Sequence, residues 1–168
     1  MIRERRPEDL TACVAALAEV HAADAYPVRW QADPAGWLSQ GRTLGAWVAE
    51  HDDRIAGHIA LNAENGDACA RVWAEFGERP AGVLCRLFVP PAARGFGLGA
   101  QLLARAAEHA RVLGRQPVLE VLALNKDAIA LYDRLGWRLL RTIDYSLHGE
   151  FVPMHCYAAP PVAGASAS

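Results

Sequence analysis

Lysine is almost missing from this sequence. Lys126 is the only one, and arginine supplies the rest of the positive charge. No block of basic residues occurs, and Lys+Arg 17 against Asp+Glu 19 leaves a net charge of -2. Nucleic acid and anionic membranes are therefore not expected as partners. Cysteine is scattered: Cys13, Cys69, Cys85 and Cys156 show no C-x-x-C spacing. Neither a zinc site nor a disulfide framework is expected, and no metal is assigned. No apolar run reaches membrane-spanning length. The opening MIRERRPEDL is too charged for a secretory signal. A reducing cytoplasm is the expected setting.

What is present suffices to fold. The chain has 168 residues, 52% of them hydrophobic and 21% charged, which suits one domain around one core. Residues 1–158 are assigned to that domain, and the tail 159–168 (APPVAGASAS) has little to bury and is expected to fray. Ile2 to Arg6 reads as a strand. Pro7-Glu8-Asp9 opens a helix whose stripe is Leu10, Val14, Leu17 and His21. Asp33-Pro34 starts a second helix. Gly45 to Glu50 and Ile55 to Leu61 flank a polar turn and read as a hairpin. Ala70 to Phe76 reads as a short helix in a surface excursion. Trp137 to Leu147 and Phe151 to Tyr157 close the chain as a second hairpin.

The sharpest signal lies between. Val83 to Val89 (VLCRLFV) is a strand, and PPAARGFGLGA follows it. Leu98, Leu102, Leu103, Ala106, Ala110 and Leu113 then form the apolar stripe of a helix. A glycine-rich turn from strand to helix gathers unpaired N–H groups at a positive helix end. Glycines remove Cβ atoms that would hold an anion away, and Arg94 adds donors suited to phosphate. Phosphate or pyrophosphate is the natural guest; a plain glycine turn is the other reading. Gly95-x-Gly97-x-x-Ala100, with Glu120 downstream, also fits the dinucleotide fingerprint. Against it, Pro90 to Arg94 separates strand from first glycine, and too little chain follows for the further parallel strands.

Three spaced elements resemble the GNAT N-acetyltransferase superfamily, over Leu84 to about Leu140. Arg94-x-x-Gly97-x-Gly99 is similar to its pyrophosphate loop. Leu87-Phe88-Val89 is similar to the strand segment that pairs with pantetheine. Asn125-x-x-Ala128-x-x-Leu131-Tyr132-x-x-x-Gly136-Trp137 is similar to its closing signature. Glu120-Val121-Leu122-Ala123-Leu124-Asn125 resembles the ribosomal-protein N-terminal acetyltransferases in particular, whereas Trp30, Asp33, Trp37 and Trp73 depart from that subgroup. The resemblance implies a single α/β (mixed α+β) domain. Its twisted mixed sheet would splay at two central parallel strands, with helices flanking it. It also implies acetyl-CoA as co-substrate, held by Leu87, Phe88, Val89, Arg94, Gly95, Phe96, Gly97, Leu98, Gly99, Ala100 and Asn125.

Moving an acetyl group to an amine needs a base for the ammonium and a proton for the departing thiolate. Glu120 is the candidate base. It shares a strand face with Val118 and Leu122, so its carboxylate is expected to be partly desolvated; an acid paired with arginine or facing solvent is the plainer reading. Tyr132 is the candidate acid, with a core tyrosine as its plainer reading. Asn125 reads as an N-cap that also touches the cofactor. His58, His148 and His155 show no recognisable partner and are assigned structural or solvent roles, and Cys85 a small apolar one. The expected activity is acetylation of a primary amine on a small or amino-acid-like acceptor. A peptide N-terminus and a non-catalytic acyl-CoA-binding module are the alternatives, and the protein is expected as a monomer or homodimer.

Overall fold

The computed structural model describes residues 1–162. In chain order the elements are β1 (Ile2–Glu4), α1 (Leu10–Asp24), α2 (Pro34–Leu38), β2 (Thr43–His51), β3 (Arg54–Ala63), α3 (Ala68–Trp73), β4 (Ala81–Phe88), α4 (Leu98–Val112), β5 (Gln116–Leu122), α5 (Lys126–Arg134), β6 (Arg138–Leu147) and β7 (Glu150–Ala158). They form one seven-stranded mixed sheet, ordered β1-β2-β3-β4-β5-β7-β6. Only β4 and β5 run parallel. One sheet face packs on α4 and α5, through Leu61, Leu84, Leu102, Leu103, Leu119 and Tyr157. The other packs on α1 and α2 through Leu17, Val20, Leu38, Val48 and Phe88, and on α3 through Cys69, Val72, Val83 and Val118. β4 and β5 are thus covered on both faces, as central strands require.

Local chemistry explains the punctuation. Asp52 and Asp53 both take positive φ (50° and 57°) in the two-residue turn between β2 and β3. That is the turn whose twist matches a hairpin, and Asp tolerates it. The Asp33 carboxylate accepts from the Gly36 N–H at 3.0 Å and caps α2. At the end of α5, Gly136 has φ 79°. Its N–H donates to the Asp133 carbonyl and that of Trp137 to the Tyr132 carbonyl. This is the paired C-terminal lock that glycine makes possible.

Three expectations need correction. The buried face of α1 is Cys13, Ala16, Leu17 and Val20; of the expected stripe, Leu17 belongs to it, Leu10 and Val14 pack half-buried against it, and His21 is half-buried, and since α1 is apolar almost all round, spacing alone could not choose a face. Leu113 lies past the end of α4 and is exposed. Of the tail expected to fray, Ala159 is buried and its N–H donates to the Pro117 carbonyl, while Arg111 donates to the Pro160 carbonyl. Residues 163–168 of that tail lie outside the described residues. Among the described residues, no helix is long and apolar enough to cross a membrane, and the four cysteines are free thiols.

Candidate active site

The two parallel strands pair over three steps only: Ala81 with Gln116, Gly82 with Pro117, and Val83 with Val118. Beyond them β4 stays with β3 as far as Phe88, and β5 stays with β7 as far as Leu122. A gap therefore opens between Leu84–Phe88 and Leu119–Leu122, and the backbone edges facing it are unpaired there.

A bulge accompanies the parting. Ala60 pairs with Cys85, but His58 pairs with Phe88, so β4 carries one residue more than β3 at this point. Arg86 occupies the bulge with φ 53°, a conformation rare for a residue with a side chain. His58 holds it. The ring is fully buried and stacked on Phe88, with centroids 5.3 Å apart. Its Nε2 lies 2.9 Å from Arg5 Nη1 and its Nδ1 lies 2.8 Å from the Arg86 carbonyl. Arginine can only donate, so Nε2 accepts and Nδ1–H donates to Arg86. Burial pushes the imidazole pKa down to about 4, and the Arg5 and Arg86 charges push the same way. The ring is neutral and structural. The expectation of a structural role stands beside partners that the sequence did not reveal.

The glycine loop follows β4. Gly95 and Gly97 take φ 89° and 75°, and no atom lies within 4 Å of where a Gly95 Cβ would stand. The first N–H of this stretch to find an acceptor is that of Gln101, on the Gly97 carbonyl at 3.1 Å. The N–H groups of Gly95, Phe96, Gly97, Leu98, Gly99 and Ala100 find none among the described residues. They gather at the positive end of α4. A Gly99 Cβ would stand 3.4 Å from the Leu131 side chain, so glycine here permits the close approach of α5. Leu98 is buried in the core, while Phe96 is exposed with its ring against His51. Arg94 has partners within the chain. Its Nε donates to the Val89 carbonyl at 3.0 Å and its Nη2 pairs with Asp24, so it ties the loop to the end of α1. Leu87 packs toward α4, Phe88 is buried toward α1, and Val89 lies beside Gly99.

Extending the β4–β5 register two residues past its last pair sets Cys85 opposite Glu120. The Glu120 side chain is exposed, which corrects the expected desolvation. Val118 on the same face is buried, but the sheet has opened by the level of Glu120. Glu120 lines a cavity of about 310 Å³ together with Asp67, Arg71, Asp144 and Ser146. Its Oε2 accepts from the Cys69 N–H at 3.0 Å and so caps α3; its Oε1 has no protein partner among the described residues. Tyr132 is buried, 5.7 Å from the Tyr157 ring and 6.1 Å from the Trp137 ring between centroids. Burial pushes its hydroxyl pKa up, and the neighbouring Tyr157 adds to this. Asn125 occupies the N-cap position of α5 as expected and is exposed, but its side chain makes no capping bond.

Sequence reasoning gave no role to Tyr26 or Arg86, and noted Trp37 as a departure from the subgroup. Tyr26 and Trp37, from the end of α1 and from α2, meet edge to face at 6.3 Å. The Arg86 guanidinium lies over Trp37 at 5.0 Å, and its Nη1 donates to the Cys85 sulfur at 3.1 Å. A charged residue inside the apolar run VLCRLFV was the available signal. His148 Nδ1 lies 3.3 Å from Arg29 Nη2, and His155 Nδ1 lies 2.7 Å from the Thr142 hydroxyl. Burial raises the Cys85 pKa, which fits a packing role better than a nucleophile.

The mixed sheet thus parts at its two central parallel strands, with a cluster of free N–H groups at the parting. Residues 12–137 match the model of the Acetyltransferase (GNAT) family, and the chain belongs to that family. It is 33% identical over 105 residues to the uncharacterized N-acetyltransferase YjgM of Escherichia coli, covering 60% of this chain and 53% of YjgM. The chain spans about half the length of the curated relatives it matches. The same architecture occurs in NAA60 of Arabidopsis thaliana in complex with acetyl-CoA (TM-score 0.69, 19% identity, 94% of this chain and 96% of that one). It occurs again in the ribosomal-protein-S18-alanine N-acetyltransferase of Escherichia coli (TM-score 0.68, 22% identity, 100% of this chain and 98% of that one).

Proposed function

We propose that this protein is an acetyl-CoA-dependent N-acetyltransferase acting on the primary amine of a small, amino-acid-like acceptor. The observation that carries the reading is the unpaired gap between β4 and β5 beside six N–H groups without acceptors. Acetyl-CoA suits both features. The amides of an extended pantetheine can pair with a free strand edge at Leu87–Val89, and a diphosphate fits the N–H groups of Gly95–Ala100. The Asn125 side chain is uncommitted, which supports its assignment to the cofactor. The bound thioester supplies an acetyl group that is already activated.

The chain's own residues do the rest. Holding the reactants aligned supplies several kcal/mol. An ammonium near pKa ~10 must lose a proton before it attacks. The free Oε1 of Glu120 takes it, while Oε2 stays on α3 and fixes the carboxylate. Tyr132 keeps its hydroxyl proton at neutral pH because burial raises its pKa, and gives it to the departing sulfur. Arg29 and His148 meet between the α1–α2 segment and the β6–β7 turn. That contact favours a small acceptor over a peptide threaded between those segments. Unpaired thiols suit a reducing cytoplasm. Thiol release from acetyl-CoA, followed across primary amines, amino acids and short peptides, tests the reading. Turnover with small amines supports it; preference for peptides moves the acceptor to a protein N-terminus; CoA binding without any turnover leaves only a binding module.

A further inference from the structure

We propose that the acceptor carries a carboxylate as well as its amine, and that Arg86 binds it. The inference rests on the acetyl-transfer reading and names the acceptor class within it.

Arg86 is a half-buried cation without a counter-charge. Arg3, Arg54, Arg94, Arg115 and Arg141 each pair with a carboxylate, whereas Arg86 pairs with none among the described residues. Its one hydrogen bond runs from Nη1 to the Cys85 sulfur, a weak acceptor. Nε is sealed from solvent with no partner, and Nη2 has no partner in the chain. Arg5 lies close enough to act on the same buried His58, and its own donors are taken by Leu38, Ser39 and His58. Two guanidinium groups therefore act on one buried ring, and neither forms an ion pair among the described residues. Such an arrangement costs free energy unless an anion joins it.

The position is also specific. Arg86 sits on the bulge where β4 leaves β5, and its side chain is half-buried. Trp37 supports it from one side. Burial raises the Tyr26 hydroxyl pKa, Cys85 and Tyr132 add to the rise, and Arg86 opposes it. Across the gap, the extended β4–β5 register sets Glu120 opposite Cys85, the residue before Arg86. Glu120 lines an acidic cavity with Asp67 and Asp144, where Arg71 is held on the Gly66 carbonyl. Acids on the β5 side and an unpaired cation on the β4 side match an ammonium and a carboxylate on one molecule. The planar guanidinium, supported on Trp37, is the donor suited to the carboxylate.

The test compares amino acids, their carboxamides and the decarboxylated amines as acceptors in the thiol-release assay, with wild type, Arg86→Gln and Arg86→Lys. Wild type is expected to favour the acids over the amides. Arg86→Gln is expected to cut that ratio of kcat/KM by about 10- to 100-fold, through KM, as loss of a charged hydrogen bond implies. Arg86→Lys restores part of the ratio, because it returns charge without the fork. Amides acetylated as well as acids by wild type, or equal losses on both series in Arg86→Gln, overturn the carboxylate assignment and leave acetyl transfer standing. Failure of every amine in all three series removes the transfer reading itself, and the assignment with it.

Discussion

Glu120 and Tyr132 divide the proton traffic, and each role can be separated from a structural one. Glu120→Gln keeps an oxygen for the Cys69 N–H, so the cap on α3 survives while the base is lost. The expected outcome is a fall in kcat/KM of about 10²- to 10⁴-fold at neutral pH with folding intact, read from initial rates and a thermal melt. A loss of melting temperature with unchanged rate would make Glu120 a cap alone. Tyr132→Phe keeps the ring stack and removes the proton. Turnover should fall more than CoA affinity, measured by calorimetry; the reverse would remove Tyr132 as acid. His58 acts on stability. Its native pKa of about 4 lies below the ordinary 6.5, so the folded state binds the proton less readily than the unfolded chain. The stability is fully present above pH 6.5 and drains as pH falls toward 4, by about 3 kcal/mol. Urea unfolding at a series of pH values checks this, and His58→Asn should flatten the curve in that window.

At the scale of elements, the loop into α4 and the helix α5 were legible because their chemistry is local. Glycine marks positive φ at 95, 97 and 136, and the stripe Ala128–Leu131–Tyr132–Leu135 packs as its spacing implies. The bulge in β4 was not legible. No glycine announces it; Arg86 takes positive φ because His58, 28 residues earlier, holds its carbonyl. The hold of Asp24 on Arg94 is likewise long-range, and no local pattern encodes it. The loop carries its own prediction. A Cβ at Gly97 meets only the Gln101 side chain, at 3.7 Å, so Gly97→Ala brings no clash with the core. It should cost about 1–2 kcal/mol for its φ of 75°. It should also weaken CoA binding about tenfold by crowding the N–H cluster, as calorimetry would show. Unchanged affinity would place the diphosphate elsewhere.

At the scale of the molecule, the sheet is held shut at one end and open at the other. Pairing from Ala81 to Val83 closes it, and α3 and α4 clamp that end from opposite faces through Val72, Val83 and Ala110. Past Val83 each strand has a partner on its outer side only. Strand identities could be read from the sequence, but which strands pair is a long-range outcome of packing. The split was expected from family resemblance and not from the residues themselves. Residue-resolved amide hydrogen exchange, with and without CoA, tests the central claim most directly. The account predicts that the unbonded amides of Gly95–Ala100 exchange fast in the free protein and slow on binding, together with those of β4 from Leu84 to Val89. Binding that leaves these amides unchanged, or protects a different region, would contradict it.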